Sequence, residues 1–288
     1  MAQSPTAPAT IGILGSGIMA GGIAELAAAS GHRVVIRART LAGAEATITG
    51  VAARLDRAVA KGRLESDARN TVLAGLSATE HLADLADCDL VIESVVEDLE
   101  VKRHLFAELD HHTKPGAILT SNTSTLPIVE LAMATRRPER VCGFHFFNPA
   151  TAMRLVEVVR PITASDETIT AVTDLATAWG HRVVEVADRA GFVVNALLFP
   201  YLNSAIAMAE RGTASIDDID AAMRGGCGFP MGPFELLDLV GLDTSLSILE
   251  ALHREFGDPS ALPHPWLRRL VAAGHLGRKT GRGFRTHG

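Results

Sequence analysis

The run Gly15-Ser-Gly-Ile-Met-Ala20 lies between a short apolar segment, Ile11-Gly-Ile-Leu14, and an alanine-rich stretch that continues to about Ser30. No other feature constrains the fold as strongly. The first glycine permits a tight turn, and the second lets a backbone approach a pyrophosphate. The small third position lets the helix pack close to its strand, with the helix N-terminus facing the phosphates. A glycine pattern alone is weak. Here a strand-like run precedes it, a helical run follows, and a second β-branched run, Arg33-Val-Val-Ile-Arg37, comes next. That order is the pattern of a dinucleotide site, so Gly15, Ser16, Gly17, Ile18, Met19 and Ala20 are candidate cofactor-binding residues.

The alternation continues. Strand candidates are 11–15, 33–37, 90–94, 117–121, 141–147, 155–160 and 182–186, with helical stretches between them at 41–61, 99–111 and 167–179. Short strands alternating with longer amphipathic segments predict an α/β domain, a Rossmann-type doubly wound parallel sheet. Beyond Asp188 the strand signal stops. Helices are predicted at 192–211, 216–224, 232–256 and 265–273, with Ser215 as an N-cap ahead of Asp217 and Asp218. The expected organisation is a tail at 1–10, a dinucleotide-binding domain at 11–187 and an all-α C-terminal domain at 188–288.

Composition narrows the function classes. With 288 residues, 47% of them hydrophobic, the chain can bury two cores. A net charge of -6 without a concentrated basic face speaks against nucleic acid. The tail lacks the basic-then-apolar order of a signal peptide, and no apolar run reaches spanning length, so no membrane association is expected. Cys88, Cys142 and Cys227 are scattered. That spacing fits a reducing cytoplasm and predicts neither a disulfide framework nor a metal site.

Two polar residues stand in apolar surroundings. His145 follows the run Val141–Phe144, near the carboxyl end of a predicted strand, where doubly wound sheets bind ligands. It could be a general acid/base, since an imidazole titrates near neutral pH, or a core histidine packed among Phe144, Phe146 and Phe147. Glu157 interrupts a predicted buried strand. A carboxylate there needs a partner, unless the strand is an edge and Glu157 meets solvent. Pairing Glu157 with the histidine would satisfy its burial and orient the imidazole.

Six further stretches occur in order: Ser121-Asn-Thr-Ser-Thr-Leu-Pro127, Gly143-Phe-His-Phe-Phe-Asn-Pro149, Leu155-Val-Glu-Val-Val159, Asp188-Arg-Ala-Gly-Phe-Val-Val-Asn195, Phe229-Pro-Met-Gly-Pro-Phe-Glu-Leu-Leu-Asp-Leu-Val-Gly-Leu-Asp243 and Gly277-Arg-Lys-Thr-Gly-Arg-Gly-Phe284. Together with the glycine loop, and over nearly the whole chain after the tail, they resemble the L-3-hydroxyacyl-CoA dehydrogenase family of the bacterial 3-hydroxybutyryl-CoA type. The resemblance implies an oxidoreductase that interconverts (S)-3-hydroxyacyl-CoA and 3-oxoacyl-CoA with a nicotinamide cofactor. It makes His145 the general acid/base, Glu157 its partner, and Ser124 and Asn195 the polar residues at the substrate oxygen. It also implies cofactor contacts from Glu97, Lys102, Asn122, Asn148 and Lys279. Arg54 and Lys61 fall in the region that meets coenzyme A, and a homodimer through the helical domain is expected. Taken singly, Ser124 also reads as a helix cap near Leu126, Asn195 as a helix-start residue, and Glu97, Lys102, Arg54 and Lys61 as surface charges. An acyl-carrier-protein substrate in specialised biosynthesis, or a catalytically idle dinucleotide-binding protein, is the alternative. A hydroxyacid dehydrogenase with a catalytic lysine is disfavoured, because the motif supplies His145 instead.

One position departs from the family. The acidic residue that binds the adenosine ribose, about 20 residues past the glycines, is here Ala38, between Arg37 and Arg39. Losing that carboxylate removes repulsion of a 2′-phosphate, and guanidinium groups pair with phosphate. NADP(H) is therefore the expected cofactor. NAD(H) is the alternative, with both arginines pointing to solvent.

Overall fold

The computed structural model describes residues 9–287. The chain divides into two compact units, Met1–Asp188 and Arg189–Gly288. The first is built on an eight-stranded sheet in the order β3-β2-β1-β4-β5-β6-β7-β8. Its strands are β1 (Thr10–Leu14), β2 (Arg33–Arg37), β3 (Leu76–Thr79), β4 (Leu90–Glu93), β5 (Ile118–Ser121), β6 (Val141–Phe146), β7 (Leu155–Arg160) and β8 (Arg182–Ala187). Helices α1 (Ile18–Ala29), α2 (Leu41–Ala60), α3 (Ser66–Ala74), α4 (Leu99–His112), α5 (Ile128–Ala132) and α6 (Asp166–Ala178) connect them. β1 and β4 are buried along their whole length, which is why they read as unbroken apolar runs instead of alternating ones. Side chains start the longer helices. Thr40 accepts from Gly43 N, Asp98 from Val101 N and Ser165 from Thr168 N.

The second unit is helical: α7 (Val194–Glu210), α8 (Ile216–Cys227), α9 (Pro233–Val240), α10 (Leu242–Phe256) and α11 (Pro265–Ala272). Phe199, Leu202, Phe234, Leu237, Leu249 and Leu267 form its core. Ser215 caps α8 as expected, accepting from Asp218 N at 3.1 Å.

Several expectations need correction. The sheet is not wholly parallel, because β7 runs antiparallel to β6. The link at 147–154 is shorter than the dozen or so residues that a parallel crossover needs. β3 and α3 were not expected. β3 is four residues with a mixed burial pattern, and α3 buries only Val72, so neither carries much periodicity. The helix expected at 232–256 is two, broken at Gly241, whose φ is 104°. The leucine pattern runs on across the break, so it gave no sign of it. α5 begins at Ile128, not Leu126, and the Asp188 carboxylate accepts from Ile128 N and Val129 N. Thr10 belongs to β1 rather than to the tail, and residues 1–8 lie outside the described residues.

Among the described residues no helix is long and apolar enough to cross a membrane, and no cluster of His, Cys, Asp and Glu could hold a metal. Cys88 and Cys142 are buried, and burial pushes both thiols up to about 12.

The β6–β7 pairing depends on a close approach. Gly143 lies opposite Val159, and a Cβ at 143 would sit 2.6 Å from the Val159 Cβ. Gly143→Ala should therefore destabilise the first unit by about 1–3 kcal/mol, read as a lower urea midpoint. An unshifted midpoint would contradict this packing.

Candidate active site

The glycine loop leaves β1 at its carboxyl end. Gly15 has φ 127°, and a Cβ there would lie 2.3 Å from the Ser94 carbonyl oxygen, so only glycine fits. Around Gly17 nothing lies within 4 Å of the Cβ position. Gly17 is the N-cap of α1 and supplies no side-chain cap. Ser16 and Gly17 are exposed, Ile18 is 76% exposed, Met19 is half-buried and Ala20 is buried. An uncapped helix N-terminus with open space at its second glycine fits a dinucleotide pyrophosphate.

At the end of β2, Ala38 is buried and Arg39 exposed. Arg37 Nε donates to the Glu80 carbonyl oxygen at 3.2 Å. The Glu80 carboxylate accepts from Leu41 N at 3.0 Å, at the start of α2. Glu80 went unnoticed in the sequence because it follows β3, the strand that periodicity did not reveal.

His145 and Glu157 come together. They face each other across β6 and β7, and His145 Nδ1 lies 2.7 Å from Glu157 Oε2. Both are buried, Glu157 completely. Because a carboxylate can only accept here, Nδ1 carries the hydrogen. His145 lies within β6 rather than just past its end, and the Phe147 ring packs 4.7 Å from its own.

Ser124 lies past the end of β5, in a loop organised by one carboxylate oxygen. Glu97 Oε1 accepts from Thr123 Oγ1 at 2.7 Å, Ser124 N at 2.9 Å, Ser124 Oγ at 3.1 Å and Thr125 N at 3.3 Å. Burial alone would raise the Glu97 pKa. The Lys102 charge and the bonds from Thr123 and Ser124 outweigh it, and the pKa is lowered. Lys102 is not a surface residue: its side chain is 1% exposed, with Nζ 2.6 Å from Glu93 Oε1 and 3.5 Å from Glu97 Oε2. Glu93 Oε2 accepts from Ser121 Oγ at 2.6 Å. Sequence reasoning missed Glu93, though an acid closing the apolar run Leu90-Val-Ile-Glu93, nine residues before a lysine, was a readable sign.

Asn122 joins this loop to the histidine strand. Its Oδ1 accepts from Phe146 N at 2.8 Å, and its Nδ2 donates to Ser94 Oγ at 3.3 Å. Asn148 is exposed in the turn after β6. On α2, Arg54 pairs with Glu25 at 2.8 Å, and Lys61 is exposed at its C-cap. In the second unit, Asn195 is buried in the first turn of α7, and Lys279 pairs with Asp243 at 2.6 Å. Asn122→Ala removes the acceptor for Phe146 N–H. Amide exchange at Phe146 should speed up, with about 1–3 kcal/mol lost locally. Unchanged protection there would refute the link between loop and strand.

Comparison with known proteins gives the site its family. Residues 10–189 match the 3-hydroxyacyl-CoA dehydrogenase NAD binding domain, and residues 191–287 match the 3-hydroxyacyl-CoA dehydrogenase C-terminal domain. A 3-hydroxybutyryl-CoA dehydrogenase of Mycobacterium tuberculosis is 47% identical over 284 residues, covering 96% of this chain and 98% of its own length. The human mitochondrial hydroxyacyl-coenzyme A dehydrogenase is 42% identical over 280 residues, covering 94% of this chain and 89% of its own. The crystal structure of (S)-3-hydroxybutyryl-CoA dehydrogenase from Ralstonia eutropha superposes with a TM-score of 0.94 at 39% identity, over 98% of this chain and 100% of that one. The chain belongs to the 3-hydroxyacyl-CoA dehydrogenase family.

Proposed function

We propose that the protein interconverts (S)-3-hydroxyacyl-CoA and 3-oxoacyl-CoA, with 3-hydroxybutyryl-CoA as its substrate. The observation that carries this reading is the buried His145–Glu157 pair, 2.7 Å apart, on the strand pair that continues the dinucleotide-binding sheet. The bound nicotinamide supplies the hydride acceptor or donor at substrate C3. With Nδ1 committed to Glu157, proton exchange with the substrate oxygen falls to His145 Nε2. Glu157 keeps the ring oriented and stabilises the imidazolium formed during oxidation. In the first unit the Ser124 hydroxyl is the polar group for the substrate oxygen; for Asn195, buried at the start of α7 in the second unit, that role rests on the family resemblance alone. Relatives named for coenzyme A substrates, 40–47% identical, do not favour a carrier-protein substrate, and neither they nor the assembled His145–Glu157 pair favours an idle fold. His145→Gln should lower kcat with acetoacetyl-CoA by about 10²–10⁴-fold while cofactor still binds. Activity retained in that variant would refute the assignment.

For the cofactor, we infer a preference for NADP(H). Ala38 presents no carboxylate at the ribose position, and Arg37 and Arg39 flank it. One observation favours NAD(H) instead: the Glu80 carboxylate at Leu41 N brings an acid close to the same strand end. The ratio of kcat/KM for NADPH to that for NADH separates the two, and Ala38→Asp should lower it at least tenfold. A wild-type ratio below one would overturn the NADP(H) reading. A cytoplasmic homodimer through the second unit completes the proposal; scattered cysteines and the exposed Leu197, Leu239 and Leu262 support it.

A further inference from the structure

The link 147–154, which joins β6 to β7, carries Phe147 and Asn148 directly after the His145 strand. It rests on two neighbours. Gly22 of α1 makes room for it: a Cβ at 22 would lie 3.3 Å from the Ala150 Cβ. The other is His181, one residue ahead of β8 and 6% exposed. The His181 and Phe146 rings meet edge to face, with centroids 5.7 Å apart and planes at 86°. Phe146 is in turn the neighbour of His145 on β6, and its N–H is held by Asn122. Arg182 N donates to the Arg154 carbonyl oxygen at 2.7 Å, which ties the end of the link to the residue after His181.

His181 takes no part in the chemistry proposed above, yet it is a buried titratable group. Neither of its ring nitrogens has a hydrogen-bond partner in the protein. We propose that His181 is an acid-sensitive support for this link: the neutral ring holds the link against β6, and protonation releases it. The consequence for activity rests on the reading of His145 as the acid/base.

An imidazolium at this place would be a buried charge without a counter-ion. The groups that face it offer none. β6 presents the apolar ring of Phe146. The link brings Arg154, whose guanidinium lies 3.6 Å from the Cβ position of Gly180. Behind Trp179 stands His32, whose Nε2 accepts from Trp179 Nε1 at 3.0 Å. Arg182 follows on the same strand. Burial lowers the His181 pKa and the Arg154 charge lowers it further, against the backbone of Ala150, Trp179 and Met153, which raises it. In the released link the ring returns to its ordinary value of 6.5. Support is therefore complete above that value and is lost as pH falls below it. One unit below, opening becomes easier by up to about tenfold.

The test compares the wild type with His181→Phe, which keeps a ring beside Phe146 but cannot take a charge. Amide exchange at residues 150–154, corrected for the intrinsic effect of pH, is measured at pH 7.5 and 5.5. The half-life of activity with acetoacetyl-CoA is followed at the same two values. In the wild type the opening equilibrium should rise about tenfold between pH 7.5 and 5.5, and in His181→Phe by less than twofold. At pH 5.5 activity should last about tenfold longer in His181→Phe than in the wild type. Where His181→Phe does not fold, His181→Gln, polar and uncharged, carries the same expectation. The proposal is overturned if wild-type protection of the link is the same at both values, or if the variant loses as much as the wild type, which would move the effect to His32. Equal half-lives at pH 5.5 would also overturn it. Exchange reads the link whatever the role of His145, so a failure of that assignment shows in His145→Gln and not here.

Discussion

A carboxylate cannot be buried in the middle of a strand without a partner, and the answer to that requirement is the His145–Glu157 bond. Breaking such a pair by removing one member typically costs about 3–5 kcal/mol, so the pair sets the geometry around it. It exists only because β7 runs antiparallel to β6, which puts Glu157 directly opposite His145. One alternation along the same ladder, the absent side chain of Gly143 makes room for Val159. Sheet direction, register and imidazole orientation are thus one constraint seen at three levels.

The same economy recurs two strands away. Glu93 ends β4 and Ser121 ends β5, and they are register partners joined by their side chains. Lys102 supplies the charge that lets Glu93 and Glu97 share this region. Asn122 then reaches from that loop to Phe146, next to His145. Polar groups at the carboxyl ends of β4, β5 and β6 form a connected hydrogen-bonded system, which is where an open α/β sheet places its chemistry.

Much of this was legible in the chain. The glycine loop, the alternation of strand and helix, and the change to helix near Asp188 all rest on periodicity and turn chemistry, which act locally. His145 and Glu157 stood out because polar residues in apolar runs are costly. What stayed hidden depends on pairing across the sheet. β3 has too few apolar residues to show alternation, and Glu80 came to light only with it. The direction of β7 follows from the length of its connection. Lys102, a cofactor contact by resemblance, could by itself equally be a surface charge, because its partners, Glu93 and Glu97, are assembled by the folded strand end. The break at Gly241 was masked by leucines on both sides.

We propose that Glu157 fixes the His145 ring with its hydrogen on Nδ1, leaving Nε2 to exchange the proton. Nitrogen-15 NMR of the His145 ring reads this directly. The expected result is a hydrogen on Nδ1, with the low-field proton signal of a strong bond to a carboxylate. That signal should vanish in Glu157→Leu. A ring whose Nδ1 carries no hydrogen would rule out Glu157 as the group that fixes it.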